Sequence, residues 1–368
     1  MNGSVIFLKA CHIYEIVNFN FGKKDAVMIV DLRSDTLTKP TPEMMEAMMN
    51  ASVGDDVFGE DPTVNELEKK CAELFDMEDA IYCPSGTMTN QIGLNVLSQP
   101  YEEVICYEGA HIYRYEGGGV AGNSGLSFRL LKGNRGRLNV DDIKANINPD
   151  DIHFPKTSVI ALENTVNKGG GCHYQLDEIR RIRELSMEYG LKMHLDGARL
   201  FNALVETGEG PAAYGKCFDT LSLCLSKGLG APVGSVLIGK AKHIKQARRV
   251  RKFFGGGMRQ AGYLAAAGLY ALDHHVNRLK EDHYRANEIG KALIGLNFVD
   301  EVLPVDTNIV IFRLADDLTA NDFLQELSGH GVKAVPFGSN EVRFVTHLDF
   351  NDEMLERTIE ILKSLKIK

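Results

Sequence analysis

Three short apolar runs in this chain end on residues able to do chemistry. Leu221–Leu225 runs into Ser226-Lys227-Gly228, Leu191–Leu195 into Asp196-Gly197-Ala198-Arg199, and Ile81–Cys83 into Pro84-Ser85-Gly86-Thr87, after which Met88, Ile92 and Val96 take helical spacing. A strand that passes through glycine into a helix presents free backbone N–H groups and the positive end of the helix dipole. With the hydroxyls of Ser85 and Thr87 this makes a seat for a phosphate. Taken singly, these features have plainer readings: a helix cap, a structural ion pair and a solvated lysine. Taken together, they are the parts that hold pyridoxal 5′-phosphate (PLP). Lys227 would bind its aldehyde as a Schiff base, Asp196 would keep the pyridine nitrogen protonated, and the helix N-terminus would take the phosphate. His111 follows the run Val104–Cys106 and is placed to lie on the flat ring, although a lone histidine after a strand is more often structural.

These residues need a scaffold that brings strand ends together. The apolar runs Val104–Cys106, Val159–Leu162, Leu191–Leu195, Leu221–Leu225 and Val236–Ile238 alternate with helical or loop-like segments, which predicts an α/β domain with a mostly parallel sheet covered by helices. In such a sheet ligands bind beyond the carboxyl ends of the strands, where the residues above stand. Asp61-Pro62-Thr63 signals a helix start, with Val64, Leu67, Cys71, Leu74 and Phe75 on its apolar face. Leu176, Ile179, Ile182, Leu185 and Tyr189 repeat the pattern before Gly190, a left-handed stop. After about residue 275 a charged helix, the runs Asn308–Arg313 and Val342–Thr346, and an amphipathic helix from Asp352 predict a smaller α+β domain. The expected division is an extension over 1–27, an N-terminal arm and large PLP-binding domain over 28–275, and a small domain over 276–368. The glycine clusters 117–119, 169–171 and 255–257 are flanked too differently to be repeats and read as loops or close approaches.

Composition narrows the function. The chain has 368 residues, 44% apolar and 25% charged, without an apolar run long enough for a membrane span, so a soluble globular protein is expected. A net charge of −9 gives no general footprint for nucleic acid or an anionic membrane, leaving Arg248, Arg249, Arg251 and Lys252 as one local basic run. Seven scattered cysteines, none in a C-x-x-C pair, point to a reducing, cytoplasmic setting and to neither disulfides nor a metal site. Residues 1–27 make a poor signal peptide; translation from Met28, or a disordered extension, is the expectation.

Asp31-Leu32-Arg33-Ser34-Asp35-Thr36, the stretch Gly54–Thr63, Pro84-Ser85-Gly86-Thr87, His194–Arg199, Leu225–Pro232 and Gly255–Gln260 together resemble the threonine aldolase family, in the same order from about residue 30 to 349. The resemblance implies the PLP-dependent fold type I, similar to aspartate aminotransferase, and an oligomer, usually a homotetramer, with active sites between subunits. It implies Lys227 as the Schiff-base lysine, Asp196 as the pyridine partner and His111 as the stacking residue. Gly86 and Thr87, with Ser85 beside them, match phosphate ligands. Lys252 and Arg259 match phosphate contacts supplied by a neighbouring subunit. Ser34, Arg199 and Arg343 match the groups that hold an amino-acid substrate's carboxylate. Two departures stand out: Val166 replaces a histidine frequent in the family, removing a second basic side chain near the substrate hydroxyl, and Phe58 replaces a frequent tyrosine.

The implied reaction is cleavage of a β-hydroxy-α-amino acid to glycine and an aldehyde, with Arg199 and Arg343 clamping the carboxylate and His111 removing the hydroxyl proton. Two rivals share the scaffold: β-elimination from another amino acid, and PLP binding without catalysis.

Overall fold

The computed structural model describes residues 28–315 and 317–366, so the expected extension over 1–27 lies outside the described residues. Strand β1 (Val30–Asp31) stands apart from the main sheet. That sheet is made by the next seven strands: β2 (Asp79–Cys83), β3 (Glu103–Tyr107), β4 (Ser127–Leu131), β5 (Thr157–Glu163), β6 (Lys192–Gly197), β7 (Thr220–Cys224) and β8 (Ser235–Gly239). Their order is β2-β8-β7-β6-β5-β3-β4, parallel throughout except that β8 runs antiparallel to both neighbours. The mostly parallel sheet is as the alternation of runs predicts. β4 carries no strong signal of its own because it is an edge strand with only Leu131 buried.

Both faces of this sheet are covered. Along β2, Ala80 and Tyr82 enter one apolar cluster while Ile81 and Cys83 enter another, and β8 divides Val236 and Ile238 from Leu237 in the same way. Helix Pro62–Leu74 lies on the first face with Val64, Leu67 and Cys71; helices Gly86–Leu97 and Ala241–Phe253 lie on the second with Ile92, Leu94, Ile244 and Ala247. Asp61 caps the former helix by accepting from the Val64 N–H, with proline in its first turn. Leu74 is 36% exposed, because the apolar arc is centred near Cys71 and Leu74 falls at its rim.

The remaining strands form a second body: β9 (Val299–Val302), β10 (Ile309–Leu314), β11 (Val332–Lys333), β12 (Val335–Pro336) and β13 (Glu341–Val345). An antiparallel sheet of order β12-β13-β10-β9 packs Val310, Phe312 and Phe344 against helices Leu279–Leu293, Ala320–Gly329 and Asp352–Ser364. β1 pairs in parallel with β11, so Val30 and Leu32 join this core. The other side of β10 and β13 turns Ile309, Ile311 and Val345 toward Phe337 and the first body. Among the described residues no helix is long and apolar enough to cross a membrane.

Candidate active site

A cleft of about 500 Å³ opens at the carboxyl ends of the main-sheet strands, within the range of about 300–1,000 Å³ usual for small-molecule sites. Its wall includes Ser34, His111, Asp196, Arg199, Lys227 and Arg343, residues drawn from 310 positions of chain. Ser34 caps the short turn Asp35–Leu37, accepting from the Thr36 N–H at 3.2 Å. Asp196 and Lys227 come from β6 and the segment after β7, and Arg343 reaches in from β13 of the second body.

Asp196 is 3% exposed and held from two sides: its Oδ1 accepts from the Ala198 N–H at 3.1 Å and its Oδ2 from Asn90 Nδ2 at 2.9 Å. Asn90 lies on helix Gly86–Leu97, one turn below the N–H groups of Gly86 and Thr87. The helix N-terminus carrying Ser85, Gly86 and Thr87 is thereby tied to the acid, although those three residues do not themselves line the cleft. Ser85 caps the helix at Met88 N. Thr89 Oγ1 lies 2.6 Å from Ser222 Oγ, which sets the same helix over β7.

The two arginines differ in their surroundings. Arg199 donates through Nε and one Nη to both oxygens of Asp35, at 2.7 and 2.8 Å, and the pair is buried. Burial opposes ionisation of Asp35, but the Arg199 guanidinium outweighs it and holds the carboxyl down at about 2. Arg343 donates to Asn167 Oδ1 at 2.9 Å and to the Arg33 carbonyl at 3.1 Å, while its buried Nε has no acceptor among the described residues. Burial, helped by the charge of Arg199, lowers its proton affinity to about 10. It is a cation that an anion would complete.

His111 opens the one-turn helix His111–Arg114 after β3; its backbone N–H donates to Glu163 Oε2 at 2.8 Å and its ring lies 5.7 Å from that of Tyr115. Ring nitrogen Nδ1 is 2.9 Å from the buried Glu116. Glu116, Asn90, Asp35 and Glu163 have no strong local signal; Glu116 meets His111 from 5 residues away, but Asn90 meets Asp196 across 106, Asp35 meets Arg199 across 164 and Glu163 meets His111 across 52, and only the fold shows these pairings.

Val166 is fully buried in the main core and bridged to Cys172, whereas Thr165, Asn167 and Lys168 line the cleft. Lys168, two residues on from Val166, is a basic side chain in the wall of the cleft. Lys168 Nζ lies 3.7 Å from the centre of the Phe337 ring and donates to the Phe337 carbonyl at 3.3 Å.

Lys252 and Arg259 are exposed and line no part of this cleft. Lys252 borders a separate depression with Asp56, Phe58 and Arg251, while Arg259 pairs with Asp55 at 2.7 Å and stands over the exposed Phe58 ring. Half of the basic run is neutralised within the chain: Arg248 pairs with Glu68, and the buried Arg251 with Asp56.

PLP fits what these residues offer. The cleft holds a lysine, a buried carboxylate and, for a substrate carboxylate, a buried Arg343 Nε without an acceptor among the described residues; the helix N-terminus tied to that carboxylate through Asn90 keeps its first N–H groups outside the helical ladder.

The family profile described as beta-eliminating lyase matches residues 31–317. The chain is similar to a probable low-specificity L-threonine aldolase 2 of Arabidopsis thaliana, 40% identical over 349 residues that cover 92% of this chain and 98% of that protein. It is also similar to the low specificity L-threonine aldolase of Escherichia coli (strain K12), 42% identical over 331 residues, 89% of this chain and 96% of that one. Among solved structures, a threonine aldolase of Leishmania major superposes with a TM-score of 0.79 at 22% identity, over 91% of this chain and 98% of that chain, which supports the fold.

Proposed function

The chain belongs to the threonine aldolases of the beta-eliminating lyase family, and on that premise we propose that it is a PLP-dependent aldolase cleaving L-threonine, L-allo-threonine and related β-hydroxy-α-amino acids to glycine and an aldehyde. One observation carries the reading: the Arg343 guanidinium, which meets no carboxylate and keeps a buried Nε without an acceptor among the described residues, shares a cleft with Lys227, Asp196 and His111. The chemistry PLP supplies when bound is a sink for the electron pair released as the Cα–Cβ bond breaks. Lys227 would hold its aldehyde carbon, Asp196 its pyridine nitrogen, His111 its ring face, and the Gly86 and Thr87 N–H groups with the Ser85 and Thr87 hydroxyls its phosphate.

Arg343, with Ser34 beside it, receives the substrate carboxylate, and Arg199 presents the edge of its guanidinium that Asp35 leaves free. Fixing the carboxylate turns the Cα substituents, so the clamp selects which bond stands perpendicular to the cofactor ring. His111 takes the β-hydroxyl proton on Nε2, directly or through a water. Lys252 and Arg259 would complete the phosphate seat of a neighbouring subunit in a homotetramer, a role their exposure supports. The six cysteines among the described residues are all buried and unpaired, which supports a reducing, cytoplasmic setting.

The test is to incubate PLP-loaded protein separately with L-threonine and L-allo-threonine and assay acetaldehyde, glycine and pyruvate together. Acetaldehyde with glycine is expected. Pyruvate with ammonia would instead make the protein a β-eliminating enzyme, and no product from a cofactor-loaded sample would overturn both.

A further inference from the structure

We propose that Glu116 is a positioning residue acting through His111: it holds a proton on Nδ1, so that Nε2 is the ring nitrogen offered to the cleft, and it joins that ring to Asp196 through Asn90. The inference deepens the aldolase reading and rests on it for the kinetic arm of its test.

The hydrogen-bond pattern assigns the protons. Asn90 touches Glu116 Oε1 and Asp196 Oδ2 through Nδ2, both at 2.9 Å, and its Oδ1 lies 3.1 Å from His194 Nε2. Turning the amide over would set its oxygen against two carboxylates, so the NH₂ group faces the acids and His194 donates from Nε2. His194 suits this role: burial pushes it down to about 4, leaving it neutral, and its Nδ1 faces Thr220 Oγ1 at 2.9 Å. Glu116 Oε1 is then already an acceptor. Its 2.9 Å contact with His111 runs from Nδ1–H to the carboxylate, and Oε2 has no partner among the described residues.

The surrounding chain keeps Glu116 in place. Gly117 and Gly118 both have positive φ, so the chain reverses directly after the carboxylate. At Gly119 an added Cβ would stand 2.2 Å from the Gln91 side-chain nitrogen, which shows how closely this segment is pressed against the helix that carries Asn90. The glycine cluster 117–119 thus has a use: it seats a fully buried carboxylate between two polar partners.

The charges facing His111 come from several elements: Glu116 and Tyr115 from its own segment, Glu163 from β5, Asp196 from β6, and Lys227 from the segment after β7. Burial alone would lower its proton affinity, but the Glu116 hydrogen bond, followed by the charges of Asp196 and Glu116, outweighs burial and the opposing Lys227, and the net direction is upward. A base so adjusted binds a proton more strongly and is free of it only at higher pH.

Glu116→Gln keeps the shape and the Oε1 acceptor while removing the charge. In the cofactor-free protein, the pH dependence of His111 carbethoxylation by diethyl pyrocarbonate, read by peptide mass spectrometry, reports the neutral imidazole directly. The midpoint should fall by about one pH unit in Glu116→Gln, giving about tenfold faster modification at a pH below both midpoints. Glu116→Asp, which keeps a charge, should lie between the two. In the loaded enzyme the ascending limb of kcat against pH should move down by the same amount. An unchanged His111 midpoint would overturn the proposal even if aldehyde release is normal. A shifted midpoint without any aldehyde release would uphold it and remove the aldolase reading instead.

Discussion

Arg199 and Arg343 carry the same expectation from sequence, yet their neighbours give them different energetics. Arg199 is one half of a buried bidentate pair with Asp35; Arg343 has no carboxylate partner among the described residues and one idle buried N–H. Replacing Arg199 with Ala would strand a buried carboxylate, so a loss of about 3–5 kcal/mol in folding stability is expected, measured by denaturant unfolding. Arg343→Ala removes a half-buried charge that pairs with no carboxylate among the described residues. It should leave stability within about 1 kcal/mol of the parent and raise KM for threonine by about 30- to 100-fold, the worth of one charge-assisted carboxylate contact of about 2–3 kcal/mol. A fall in stability as large for Arg343→Ala as for Arg199→Ala would contradict this division. Lys227→Ala belongs to the same scale: the visible absorbance of bound PLP and all turnover should disappear together while the fold persists, because the lysine's only polar bonds among the described residues run through its backbone carbonyl, to Thr38 and Gly230.

At the scale of elements, helix Gly86–Leu97 is the part most exposed to a test. Alanine at an exposed helix glycine would ordinarily add about 1 kcal/mol. At Gly93, however, a Cβ would lie 2.6 Å from His194 Cε1 and 2.7 Å from its Nδ1, on a ring that is fully buried and hydrogen-bonded at both nitrogens. Overpacking decides the sign, so Gly93→Ala should cost about 1–3 kcal/mol and weaken PLP binding as Asn90 is lifted from Asp196, measured by thermal unfolding and cofactor titration. A variant more stable than the parent would show that the helix can shift without harm. This same helix marks the limit of what the chain reveals as text. Its start at Ser85-Gly86-Thr87 is legible because caps and apolar spacing are local, as are the ends of β6 and β7 that supply Asp196 and Lys227. That Asn90 meets Asp196 across 106 residues, or Asp35 meets Arg199 across 164, is a property of the packed sheet and has no local signal. The strands β4, β11 and β12 escape for another reason: they are edge or two-residue elements whose burial is too partial to impose a period. The antiparallel direction of β8 is silent in an apolar run, which reads the same in either direction.

On the scale of the whole molecule, the N-terminal segment joins the two bodies: Val30 and Leu32 enter the second core, and Asp35 meets both Arg199 and Asn308. The folded-state pKa of Asp35, about 2, lies below the unfolded value of about 3.9. Its stabilisation is therefore full above that unfolded value and is lost as pH falls through 2. Asp35→Asn should accordingly lower stability at neutral pH and flatten the further loss between about pH 4 and pH 2 relative to the parent, as read from thermal midpoints across that range. Parallel curves would remove Asp35 from the acid response. The proposed oligomer makes a sharper demand. Lys227 stands in the cleft, while Lys252 and Arg259 are exposed and line no part of it, so a phosphate seat shared between subunits draws its lysine and its cations from different chains. Lys227→Ala subunits lack the first, and subunits carrying Lys252→Gln with Arg259→Gln lack the second. Each homo-oligomer should be inactive at limiting PLP. Unfolded and refolded together, half of randomly paired subunits become hybrids with one intact site in two, so about a quarter of the parent activity should return. Sites complete within one chain would restore nothing on mixing, because every chain in the mixture would still carry a defect of its own.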